Sequence, residues 1–165
     1  MEGTVRTQGT QIFFVDNSGS SSEPTIVRMS CPTGVTGLFG GTADKIDVTC
    51  LEYTGKFRQY EFGLGDASDV TIPFILRPGD VSQQTLFDLQ RSRAVIEWMV
   101  CDEWGTTAPT LDSNDEMVPP ADRNSYTLRA AVTNLQLDAA GNEVWRGTLT
   151  LTPSGDTTET WKTPE

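Results

Sequence analysis

The segment DSNDEM, residues 112–117, has the spacing in this chain that comes nearest to a metal site. Asp112, Asn114 and Glu116 stand at alternate positions, as oxygen ligands do at the start of a calcium loop. Such a loop needs glycine at its sixth position and glutamate at its twelfth, where this chain has Met117 and Arg123. The segment therefore reads as a solvated acidic loop. GLFGG (37–41) and GLG (63–65) invite a phosphate-cradle reading, but neither follows the spacing of a dinucleotide or P-loop motif. They read as turn and bulge glycines. The 23 Asp and Glu side chains could supply the two carboxylates of a glycosidase, yet any acidic surface does so.

Absences decide more. There is no histidine, which removes Ser-His-Asp and Cys-His catalysis, imidazole-ligated metals and the commonest general base near neutral pH. The three cysteines, Cys31, Cys50 and Cys101, are odd in number and widely spaced, with no C-x-x-C pair. They read as small, partly buried thiols on strands rather than as disulfides or zinc ligands. No cofactor or metal is expected, and no catalytic residue.

The net charge of −11 argues against ordinary nucleic-acid binding, which depends on cations neutralising phosphate, and against docking on anionic membranes. It does not forbid a surface that DNA slides past. No apolar run approaches the roughly 20 residues of a membrane helix. The start, MEGTVRTQGT, lacks a basic-then-apolar signal pattern, so the expected place of synthesis is the cytosol.

The elements that would position these groups are mostly strands. The 165 residues, with 15 Gly, 9 Pro and many Thr, suit one domain of short strands and turns. Strands are expected at 9–15, 25–31, 43–50, 69–76 and 94–101, with a Ser-rich turn at 17–24. The segments 125–137 and 143–152, flanking DAAGN, form the clearest hairpin. In 69–76, Val70, Ile72, Phe74 and Leu76 alternate as on a half-buried strand. In 43–50, Ile46, Val48 and Cys50 share one side, and Lys45, Asp47 and Thr49 the other. Residues 51–67 follow neither period and read as a long excursion or an extended hairpin. A corner at Pro78-Gly79-Asp80 leads into one helix, 81–91, with Asp80 as N-cap, Gln83 at capping-box spacing, and Leu86 and Leu89 on its apolar side. The acidic stretch 102–124 has little to bury and reads as a long, partly disordered loop. Trp98 and Trp145 are expected in the core, and Trp104 and Trp161 on a partner surface. The fold class is mainly β: a sandwich or barrel of two packed sheets with one short helix.

The order of these elements carries a resemblance. SDVTIPFIL leads into RPGDVSQQTLFDLQRS, then AVIEWMV, then the hairpin YTLRAAVTNLQLDAAGNEVWRGTLTLTPSG; upstream stands GGTADKIDVT. The pattern, over roughly residues 10 to 155, resembles the major tail tube protein of long-tailed, lambda-like (siphovirus) bacteriophages.

The resemblance implies a single tail-tube domain, 1–165, with an N-terminal arm (1–8), a long assembly loop (51–67) and a C-terminal arm (153–165); the acidic loop (102–124) departs from the family pattern and reads as an insertion. It implies a structural virion protein, made in the bacterial cytoplasm and housed in the tail. Hexameric rings would stack into a tube that channels DNA into the host. Its partners would be copies of itself, a tape-measure protein, a tail-tip initiator, a terminator, and double-stranded DNA passing without specific binding. Tyr53, Lys56, Phe57, Arg58, Tyr60 and Phe62 would join one ring to the next. Lys45, Asp47, Thr49, Ser68, Asp69 and Thr71 would face the lumen, while Val70, Ile72, Phe74 and Leu76 would face a second layer and the helix. Two rival readings are a small carbohydrate-binding sandwich with exposed tryptophans and another tail ring protein such as a terminator. An enzyme is the least expected class.

Overall fold

The computed structural model describes residues 3–17 and 23–164; most of the expected Ser-rich turn at 17–24 lies outside them. Strands β1 (Gln11–Asp16) and β2 (Thr25–Arg28) are followed by a separate hairpin, β3 (Gly41–Asp47) and β4 (Tyr60–Ala67). Then come β5 (Val70–Ile75), helix α1 (Val81–Ser92), β6 (Ile96–Cys101), and the short pair β7 (Thr110–Leu111) and β8 (Met117–Val118). β9 (Ser125–Asp138), β10 (Arg146–Pro153) and β11 (Thr158–Thr160) complete the order.

The main sheet runs β2-β1-β6-β9-β10-β5 through antiparallel neighbours, with β11 on the start of β9. It also closes on itself. β2 pairs with β1, and the chain just beyond it crosses to the free edge of β5. There Thr33 N–H donates to Pro73 O (2.8 Å), Thr36 and Thr71 exchange two bonds (2.9 Å each), and Ile75 N–H donates to Cys31 O (3.1 Å). Closure satisfies an edge that would otherwise offer its backbone to any passing strand. The expected two layers are thus the two halves of one curled sheet.

Alternation along each strand fills the space between those halves. Ile12 and Phe14 of β1, Trp98 of β6, Val70, Ile72 and Phe74 of β5, and Leu149 and Leu151 of β10 are buried in one cluster. Phe14 and Trp98 meet at 4.9 Å between ring centroids, and Trp98 Nε1 donates to Ala130 O (3.3 Å). Leu86 and Leu89 of α1 enter the same cluster, so the helix covers one opening of the curl. A β-bulge between Thr150 and Leu151 adds a residue on β9 and sharpens the bend.

The helix start is tied down more firmly than its sequence suggests. Asp80 accepts the Gln83 N–H at 3.2 Å and the Ser30 hydroxyl at 2.6 Å, joining the helix to the end of β2. The Gln83 side chain does not close the expected capping box. Its Oε1 accepts the Arg77 N–H (2.8 Å) and its Nε2 donates to Ile75 O (2.8 Å) and Ser30 O (3.3 Å). Its buried side chain thus satisfies three backbone groups of the corner that the helix and strands leave unpaired. Gly79 takes φ +70° in open space, which sets the corner's direction without strain.

Two expectations need correction. Residues 102–124 are an ordered strap with a core of their own. The outer sides of β1 and β6 carry Phe13, Val15, Met99 and Cys101, and Met117 and Leu111 of the strap cover them. Arg123, fully buried, pins the strap from inside by donating to Gln11 Oε1 (3.0 Å), Asp102 O (3.4 Å), Gly105 O (3.2 Å) and Thr107 O (2.6 Å). Acidic composition concealed a few buried anchors. Trp145, expected in the core, is 55% exposed because it precedes β10 and falls outside the strand's alternation.

Candidate assembly surfaces

Three surfaces stand out, and the first is the β3–β4 hairpin. It extends 51–67 into an arm spanning 41–67, of which 60–67 is strand rather than loop. Nearly every side chain of the arm is exposed on both faces. Ile46 and Val48, expected to share one side of a strand, are both exposed; Phe57, Phe62 and Leu64 are 83%, 71% and 92% exposed. The register places Lys45 opposite Phe62 and Asp47 opposite Tyr60, so these four share a face. Lys45 Nζ lies 3.6 Å from the Tyr60 ring centroid, and Arg58 pairs with Asp47 at 3.1 Å. Two groups that the sequence assigns to different tasks, a lumen wall and a ring contact, therefore sit together. Tyr53, Lys56, Phe57 and Arg58 occupy the connecting loop. Thr49 closes its base, its Oγ1 accepting the Gln59 N–H at 2.8 Å and its own N–H donating to Asp47 Oδ1 at 3.0 Å. Hydrogen bonds from the Thr49 hydroxyl and amide, with Arg58 adding less, hold the Asp47 carboxyl below its ordinary range.

The second surface is the outer face of β5, β10 and β9. Thr71 stands opposite Thr150, which stands opposite Asn134; the next row is Pro73, Thr148 and Gln136. Thr133 and Thr152 hydroxyls meet at 3.0 Å, and Thr152 donates to Asp69 Oδ1 at 3.0 Å. Ser68 is held beside this face by its N–H to Gly40 O (2.8 Å). Asp69 is the carboxylate among these hydroxyls, Arg129 stands exposed further along β9, and Arg146 and Asp138 form the end row. Of the expected lumen residues, Ser68, Asp69 and Thr71 gather here, while Lys45, Asp47 and Thr49 belong to the arm. The sequence reading missed Thr133, Thr148, Thr150 and Thr152. The signal was present in GTLTLT, where every second residue is threonine.

The third surface is the strap. Asp112, Asp115 and Glu116 are exposed, and Asp112 Oδ1 accepts the Asn114 and Glu116 N–H groups at 2.8 and 3.0 Å. The carboxylate is spent on closing a turn between β7 and β8. Burial, with Glu116 and Asp112 nearby, raises the Glu97 carboxyl pKa against the hydrogen bond from Met117 N–H. Pro78, Gly79, Asp80, Leu86 and Leu89 form the helix corner and its buried face, as described above. Burial pushes the Cys101 thiol up to about 11, so it is an inert core group.

Solved structures define the class of fold. The SPP1 tail tube superimposes with a TM-score of 0.63 at 10% identity, over 96% of this chain and 80% of that one. The sheath/tube terminator of the extracellular contractile injection system PVC gives 0.64 at 14% identity, over 96% and 98%. A chain of the native gene transfer agent virion gives 0.63 at 14%, over 95% and 99%. These likenesses establish a tube-protein fold.

The family follows from sequence. The chain belongs to the lambda-like phage tail tube (TTP) family, whose model matches residues 3–163. It is also 28% identical over 156 residues to Structural protein 3 of Pseudomonas phage PAJU2, covering 92% of this chain and 91% of that protein. The protein is a structural component of a phage tail tube, located in the virion tail, and the carbohydrate-binding reading is not favoured.

Proposed function

We propose that six copies form a ring, that rings stack through the β3–β4 arm, and that the outer face of β5, β10 and β9 lines the bore. The arm carries this reading. A two-stranded ribbon is at best marginally stable alone in water, and this one leaves its large apolar side chains uncovered. Such a surface is made to be buried by another molecule. The threonine face supports the second half. A wall of hydroxyl and amide groups stays wet, and it offers a passing duplex no row of lysines to hold its phosphates.

In this reading the protein works by assembly and not by catalysis. Its partners are its own copies, a tape-measure protein within the bore, an initiator at the tip, a terminator at the far end, and double-stranded DNA that passes without specific binding. Negative-stain electron microscopy of the purified chain after slow concentration is the test. Stacked rings with a central channel are expected. Single rings that never stack would point to a terminator, and lasting monomers would sink the proposal.

A further inference from the structure

A cavity of about 570 Å³ opens between residues 5–10, the loop 32–38 and the end of β6. Its apolar wall comes from Ile12, Val35, Leu38, Val100 and Tyr126. Asp102 lines it too, 3% exposed; its Oδ1 accepts the Trp104 N–H at 3.1 Å, but its Oδ2 has no hydrogen-bond partner among the described residues. A buried carboxylate oxygen without a donor costs free energy until one arrives. Glu103 sits beside the cavity mouth, accepting the Arg6 N–H at 2.7 Å, and Arg6 is the sole cation in the lining. The site thus asks for an occupant with an apolar body and a cationic edge.

The same chain displays one. At the arm's turn, Lys56-Phe57-Arg58 sets the most exposed aromatic side chain among the described residues between two cations. Lys56 makes no ion pair among the described residues. None of the described residues of its own subunit covers this turn, so the occupant is a second copy. Trp161, 67% exposed, is the other candidate from a second copy, but Thr160 precedes it and only Lys162 follows it with charge.

We propose that the arm tip of one copy seats in this cavity of a copy in the adjoining ring, Phe57 against Val35 and Leu38, with the Lys56 ammonium directed to Asp102. The inference rests on the arm's role in stacking and adds the receiving surface. It gives the tube a fixed axial register, since a single side chain enters a single socket.

The test is a disulfide trap in the full-length chain carrying Cys31→Ser and Cys50→Ser. Phe57→Cys with Val35→Cys, under mild oxidation, should give a ladder of cross-linked chains in assembled tubes and none in dilute monomer. Phe57→Cys with Thr148→Cys should give none in either state, and Trp161→Cys with Val35→Cys likewise. In parallel, Phe57→Ala should raise the protein concentration needed for polymerisation at least tenfold with unchanged monomer circular dichroism, and Lys56→Glu should do the same more weakly. Tubes that depend on Phe57 but cross-link at 148 or through 161 would overturn the socket and leave the arm's stacking role intact. Tubes indifferent to Phe57→Ala would remove both.

Discussion

Gly147 faces Phe74 directly across the β10–β5 ladder, and a Cβ there would come within 2.3 Å of the Phe74 ring. The ring lies flat over the glycine because nothing projects from it. Phe74 is 1% exposed at the centre of the core, so it has no free space to retreat into. Gly147→Ala should therefore cost about 1–3 kcal/mol of stability, the usual range for overpacking, as read from urea unfolding. Adding Phe74→Leu should recover part of that loss; strictly additive costs would show that the two sites do not meet. Arg123 illustrates the opposite economy. A guanidinium is among the hardest groups to bury, yet here four acceptors surround it and it becomes the keystone of the strap.

At the scale of elements, the helix depends on one carboxylate. Hydrogen bonds from Ser30, then Ser82, then backbone amides hold the Asp80 pKa below its ordinary 3.8. A depressed acid contributes fully above its unfolded value and less as pH falls through the folded one. Asp80→Ala should thus lower stability by about 1 kcal/mol near neutrality, as lost N-caps do. The gap from wild type should shrink below pH 3.8. A gap constant with pH would mean that Asp80 acts by shape alone. The strap makes a separate claim. Met117→Ala should cost about 2 kcal/mol or more and expose Phe13 and Val15, detectable as new dye binding at the outer face of β1. Unchanged stability would show that the strap is a loose cover. These elements also show what could be read in advance. The alternations at 70–76 and 143–152 and the Asp80 cap were legible because each is local. Met117 and Arg123 were not, because they are single residues in a polar stretch: Met117 packs on β1 and β6, and Arg123, besides three carbonyls of the strap, reaches Gln11, 112 residues upstream. The arm was legible as an anomaly: its aromatics fit neither period, and Tyr53, Phe57, Tyr60 and Phe62 are all exposed.

The whole molecule divides into a body that completes itself and an arm that does not. The body closes its sheet, caps one opening with a helix and straps its second face. The arm has only its own ladder, in which 25 residue positions from 42 to 66 contain no buried side chain. Its amides should therefore open without disturbing the core, as the least stable parts of a structure do. Stacking would bury the ribbon and couple that opening to the loss of a neighbour. Hydrogen exchange in 51–67 should then be fast in dilute monomer and slow by at least tenfold in tubes, while β6 and β9 stay protected in both. Slowing confined to the outer face of β5, β10 and β9 would shift the subunit contact to the sheet. Equal rates in the two states would mean that the arm meets no neighbour, and the stacked-ring arrangement would have to be built from some other part of the chain.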